Sequence, residues 1–168
     1  MRTIKELQTF LELEADGQWG PKSQAALNLV LLGIDPFGPH SVIASEFADA
    51  ADIEAFRRCK AQGRSDQDCF KVGDNGIGVW GESTAPGSGP SCALPPEDME
   101  EAWGSVATAK NKRVSVAYKD AVAILVLKDR MPHRANIKNG AGIDLNEDAR
   151  KLLGIPKGGM VRVIWKWA

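Results

Sequence analysis

The sequence predicts an α+β protein, with an N-terminal helical module ahead of a small β-barrel that carries one helix against it. Three observations predict this. Over residues 1–33, apolar side chains recur at helical spacing between capping and turn signals. From residue 76 the period changes to two, and β-branched runs are separated by turns rich in Gly and Pro. Residues 145–153 return to helical signals between strand patterns.

Composition bounds the function. The chain has 168 residues, 43% hydrophobic and 26% charged, which suits a modest core and argues against disorder. A net charge of −1 excludes a broad basic surface for nucleic acid. Two histidines and three cysteines supply no zinc set at paired-knuckle spacing, so neither metal nor organic cofactor is expected. No run of about 18 apolar residues is present, so membrane insertion is not expected. No secretory signal is visible at the N-terminus.

In residues 1–33, Thr3 with Glu6 forms a capping-box spacing, and Ile4, Leu7, Phe10 and Leu11 make the apolar stripe of a first helix. Asp16-Gly17 is a turn signal. Pro21 suits the first position of a second helix, with Ala25, Ala26, Leu29 and Leu32 as its apolar face and Gly33 as its end. The string DGQWGPKSQAAL within this stretch resembles the peptidoglycan-binding domain family in truncated form. That resemblance implies a glycan or stem-peptide contact near Asp16, Gly17, Trp19 and Gln24. The plain alternative is that Trp19 and the turn only lock two helices together.

Residues 34–75 read as a linker and a helical segment. Pro36, Gly38 and Pro39 stiffen the link. A helical pattern starts at Ser45, with Phe47, Ile53, Ala55 and Phe56 apolar, Arg57, Arg58 and Lys60 at its C-terminal end, and Gly63 as its stop. Ser65 with Asp68 caps one more short turn. Cys59 and Cys69, ten positions apart, suit a disulfide, which would place the protein outside the cytoplasm; two reduced, half-buried thiols are the alternative. Cys92 is then the odd cysteine. As a nucleophile it needs an imidazole, and only His40 and His133 exist.

Residues 76–168 form the barrel domain. Residues 76–80 read as its first strand, entering a Gly/Ser/Pro loop at 81–91. A helical turn is expected at 99–103. Residues 113–118 alternate, with Val114 and Val116 on one face. The run AVAILVL at 121–127 suits a strand buried on both faces. A turn follows at 129–132. Asn146 is the N-cap of the short helix, Glu147 and Asp148 fill its first turn, and Gly154 lies past its end. A final strand at 160–167 turns Val161, Val163, Trp165 and Trp167 one way.

The run from VLKDRMP through GAGIDLNEDARKLLGI to MVRVIWKW resembles the double-psi β-barrel proteins. The nearest in pattern are the rare lipoprotein A type lytic transglycosylases, with expansins as distant relatives. The resemblance implies a six-stranded double-psi barrel and makes Asp144 the acid that protonates a glycosidic oxygen. Such an acid must be protonated near neutral pH, through apolar burial or a neighbouring carboxylate. Helix capping is the structural alternative for Asp144. Glu82 is the candidate second carboxylate. The T-A-N-G-E and A-A-H elements of the transglycosylases have no direct match, and Glu82 and His133 stand nearest to them.

Candidate substrate contacts are Trp80, Thr84, Asp129, His133, Asn136, Asn139 and Gly142, beside Asp16 and Trp19 in the first module. Turn-fixing through backbone hydrogen bonds is the first reading of Asp129, and buried core is the first reading of Trp80 and Trp103, with stacking on sugar faces as the alternative. Glycines near Asp144 would let a polymer approach the backbone. Both resemblances imply a monomeric enzyme that cleaves peptidoglycan glycan strands, of phage or prophage type, made without a signal peptide and acting in the periplasm or wall after release. The alternatives are a non-catalytic, expansin-like carbohydrate-binding module and a phage structural component.

Overall fold

Six strands close into one barrel: β1 His40–Glu46, β2 Ser91–Leu94, β3 Arg113–Tyr118, β4 Ala121–Arg130, β5 Ala141–Leu145 and β6 Val161–Trp167. In the computed structural model, which describes residues 3–10, 14–20, 23, 24, 27 and 38–168, their order round the barrel is β1-β5-β2-β4-β3-β6. The β1–β5 and β2–β4 pairs are parallel; the other four are antiparallel. Of the second helix expected at residues 21–33, only Ser23, Gln24 and Leu27 are described, and they are helical; its other residues, the link at 34–37 and Leu11 lie outside the described residues.

The interior is filled by alternating positions. Val114, Val116, Leu125, Leu127, Ile143, Leu145, Val163 and Trp165 are fully buried or nearly so. Three aromatic rings finish one end, with Trp167 edge-on to both Trp165 and Trp103 at 5.6 Å. Strands β3 and β6 fall where their alternation placed them. Strand β4 also forms, but it is not buried on both faces: Val122 and Ile124 are exposed while Ala123, Leu125 and Leu127 are buried. The apolar run hid a one-sided strand. Asp129 and Arg130, read as a turn, continue that strand.

The barrel's first strand is not at residues 76–80. There only Ile77 makes an isolated bridge, to Ser83. Strand β1 lies upstream, inside the stretch read as linker and helix, and Ser45 belongs to it. The helix begins later, as α2 Ala50–Ala61, because Asp49 caps it: the Asp52 N–H donates to the Asp49 carboxylate at 2.8 Å. A short α3, Asp66–Cys69, is capped by Ser65 as its spacing with Asp68 predicts. Cys59 and Cys69 form a disulfide that joins α2 to α3, with Cα atoms 5.5 Å apart.

Strand β2 falls at the end of the stretch read as a Gly/Ser/Pro loop, and α4, Pro96–Trp103, follows it. The last helix, α5 Glu147–Leu152, matches its signals. Its N-cap does double duty. The Asn146 carbonyl oxygen accepts from Ala149 N and Ser91 N, while its amide donates to the carbonyls of Thr84 and Gly89. Asp148 accepts from Gly87 N and Gly89 N, and Lys128 donates to the carbonyls of Ser83 and Ser88. The 83–90 loop is thereby clamped to the barrel through groups that would otherwise be buried without partners.

At the N-terminus, α1 Ile4–Phe10 carries the reciprocal capping box. Thr3 N donates to the Glu6 carboxylate at 2.6 Å, and Glu6 N donates to Thr3 Oγ1 at 3.3 Å. No helix among the described residues is long and apolar enough to cross a membrane.

Candidate active site

The site is built on the outer face of adjacent strands. Ala93 of β2 pairs with Asp129 of β4 on one side and with Asp144 of β5 on the other; Asp144 in turn pairs with Ser45 of β1. Directly opposed residues on neighbouring strands point to the same face. The row Asp129, Ala93, Asp144, Ser45 therefore shares one face, and the small side chain of Ala93 leaves space between two carboxylates. Two strand spacings put the aspartate Cα atoms about 10 Å apart.

Asp144 lies in a cleft of about 360 Å³ lined by Met131, Pro132, Asn136, Ile137, Lys138 and Asn139. Met131 packs with Phe47, Ala48, Ala93 and Ala141 in a small apolar cluster, and Ile137 leans on it. This apolar wall covers one side of the half-buried Asp144 side chain. Burial pushes the Asp144 pKa up to about 6; a hydrogen bond donated by Ser45 Oγ opposes the rise, and the negative charges of Asp129 and Asp74 add to it. Asp144 is not the helix cap, since Asn146 holds that place.

Asp129 is also pushed up by burial, but it is held by two backbone donors. Its Oδ1 accepts from Val79 N at 2.8 Å and from Arg130 N at 2.7 Å, and both bonds favour the charged form. Asp129 thus combines the turn-fixing role with a place beside Asp144. Asp74 is raised by burial and accepts from Gly76 N at 2.7 Å.

The other expected contacts divide. Asn136 and Asn139 line the Asp144 cleft. His133 lines an adjoining cavity, with Nδ1 3.1 Å from Glu97 Oε1. Gly142 borders a neighbouring groove and is tightly packed: an added Cβ would lie 2.7 Å from Val42 Cβ. Thr84 is fully buried, and Trp80 packs against the barrel core. Glu82 is turned elsewhere: it accepts from Asn111 Nδ2 at 2.9 Å and lies 3.6 Å from Lys110 Nζ. The groups acting on Asp144 are Ser45, Asp129 and Asp74.

In the first module, Gln8 organises the Asp16-Gly17 turn. Its amide donates to Asp16 Oδ1, Gln18 O and Ser23 Oγ, and its carbonyl accepts from Gly17 N. Trp19 Nε1 donates to Gln24 Oε1 at 3.1 Å, and Trp19 is 37% exposed.

Sequence reasoning missed Ser45 and Asp74, and it gave Asp129 no place next to Asp144. Pairing across strands, not spacing in sequence, unites them. Cys92 is fully buried, and burial with the Asp144 charge pushes its thiol far up, so it is no nucleophile. Among the described residues, no three His, Cys, Asp or Glu side chains are placed to hold a metal ion. No known protein-family model matches the chain, and no curated protein matches it significantly.

Proposed function

We propose that the protein cleaves the glycan strands of peptidoglycan, with Asp144 as the general acid, in a barrel of the double-psi class. The observation that carries this is a carboxyl with a pKa of about 6 in an open cleft, across Ala93 from a second carboxylate held by two backbone donors. Burial raises both carboxyls, but only Asp129 has two amide donors opposing the rise, and this difference supports an acid beside a more readily ionised partner. The two parallel pairs, β1–β5 and β2–β4, within a closed six-stranded barrel support the double-psi assignment.

The chemistry follows. Asp144 gives its proton to the glycosidic oxygen as the C1–O bond breaks. In the transglycosylase course, the sugar's own 6-hydroxyl oxygen bonds to C1, and its proton passes to a carboxylate of the pair. No water enters, and a 1,6-anhydro end results.

Asp129 supports a second course, hydrolysis with inversion. A general acid and base there stand about 6.5–9.5 Å apart to admit a water, and two strand spacings across Ala93 suit that gap. The Asp16–Trp19 turn would add wall contact, and the Cys59–Cys69 disulfide suits action outside the cytoplasm.

The test is digestion of purified peptidoglycan by the wild-type protein and by Asp144→Asn, with mass spectrometry of the soluble fragments. Anhydro-ended fragments from the wild type alone would support transglycosylation, and reducing ends would support hydrolysis with Asp129 as base. Release of neither, with sacculi still bound, would leave a binding module.

A further inference from the structure

The Asp144 cleft does not end at Asp144. Met131, Pro132 and Asn136 also line a second cavity, of about 560 Å³, completed by Arg130, His133 and Phe70. Phe70 comes from outside the barrel sheet. It follows α3 directly after Cys69, and the disulfide ties that position to α2. Phe70 is 53% exposed, and the Phe56 ring of α2 backs its ring at 4.9 Å. Val72, Ile77 and Val79 of the following segment are about half exposed too, and Val79 N donates to Asp129. An exposed aromatic ring, backed by a second ring and lining a cavity of mixed polar and apolar groups next to the candidate catalytic cleft, is the arrangement that grips a pyranose. The ring's flat apolar face covers the sugar's C–H face, and polar groups such as Arg130, His133 and Asn136 meet the hydroxyl and amide edge.

We propose that Phe70 is the aromatic platform of a sugar subsite next to Asp144, and that the Cys59–Cys69 disulfide holds it in place. The ligand is one N-acetylated hexose ring of a glycan strand, adjacent to the ring whose bond is cut. This rests on the glycan-cleaving reading above and adds a binding residue and a redox dependence to it. The disulfide acts here by ordering. With the bridge open, α3 loses its covalent tie to α2, and the ring must be ordered by the ligand at the ligand's cost.

The test measures binding of the full chain to isolated sacculi and to an N-acetylglucosamine hexamer. Asp144→Asn is the parent, so that nothing is cut. Phe70→Ala in that background is expected to weaken binding about tenfold, the scale of one aromatic stacking contact, while Phe70→Trp keeps the parent's affinity. Cys59→Ser/Cys69→Ser should weaken binding to a similar degree, and adding Phe70→Ala to it should cost little more, because both changes remove the same contact. Phe70 is exposed, so its replacement leaves the fold intact, and an unchanged melting temperature confirms this. Parent-like binding by Phe70→Ala would overturn the subsite while leaving the glycan reading standing. A parent that binds neither probe, with a wild type that releases nothing from peptidoglycan, would overturn both.

Discussion

Asp129 and Asp144 flank the same residue: each is the cross-strand partner of Ala93, one from β4 and the other from β5. Neither sits in a loop. Both are fixed by the sheet, which gives their separation a rigidity that loop-borne carboxylates lack. Their environments then part them. Burial raises both, but two amide donors oppose the rise at Asp129, while Asp144 faces Met131 and Ile137 and has one hydroxyl donor, Ser45.

On the proposed glycan-cleaving reading, two substitutions should move the pH profile of activity in opposite directions. Asp129→Asn removes a negative charge that raises the Asp144 pKa, so Asp144 ionises at lower pH, and the fall in activity above pH 6 should begin earlier. Ser45→Ala removes the donor that favours the Asp144 anion, so the same limb should move to higher pH. Burial is the largest cause of the shift, so each displacement should stay below about one unit. Profiles of kcat/KM for both variants check this; displacement of both in the same direction would remove Ser45 and Asp129 from the electrostatics of the acid.

The raised pKa also has a stability signature. A carboxyl at about 6 in the folded chain and 3.8 unfolded keeps its proton better when folded. Between those values the folded state binds more protons, so stability falls as pH rises through this window. Asp98, buried beside Arg134 and also pushed up to about 6 by burial, contributes the same sign. Asp144→Asn keeps an acceptor for Ser45 and carries no charge. It should be more stable than wild type at pH 7.5, by about 1–3 kcal/mol, with the difference vanishing near pH 4. Urea titrations at both pH values measure this.

Where the sequence was legible, one-sided patterns or caps carried the signal. Val114 and Val116, the alternation into Trp167, and Asn146 with its acidic first turn are local statements, and the chain folds as they say. Strand β2 has four residues, all buried, too few to show a period. In β1 the polar Ser45 and Glu46 run straight into a well-capped helix, which masks where one ends and the other begins. Asp144 stood out through the resemblance carried by the element just before the α5 helix signal. Asp74 and Ser45 did not, and Asp129 was read without a place beside it, because all three are remote from it in sequence and only strand pairing and burial bring them near. Glu82 had sequence context but a different set of neighbours.

Gly142 tests whether the glycine-bearing stretch serves substrate or packing. A Cβ there would meet Val42 Cβ at 2.7 Å, across the β1–β5 pair. Gly142→Ala should cost about 1–3 kcal/mol, the range of overpacking, and Val42→Ala in the same chain should recover more than half of it. If Gly142→Ala instead left stability unchanged and impaired binding to sacculi, close approach of polymer would be the better reason for the glycine.

The last relationship joins the site strand to α5. Glu46, next to Ser45 on β1, accepts from Arg150 Nε at 2.9 Å and from Gly158 N at 3.0 Å, and Arg150 also donates to Ile155 O at 2.8 Å. Both charged side chains are nearly buried, at 10% exposure for Arg150 and 13% for Glu46. Removing one partner strands the other away from water, so Arg150→Met should cost about 3 kcal/mol, visible as a lower denaturant midpoint. Glu46→Leu combined with Arg150→Met should lose much less than the sum of the single changes, because no uncompensated charge is left behind. The effect should reach the site as well. With Glu46 left to Gly158 N alone, β1 loses one of two anchors one residue from Ser45, and the pH profile of Arg150→Met should move toward that of Ser45→Ala. A destabilised variant with an unmoved profile would confine the pair to holding the fold.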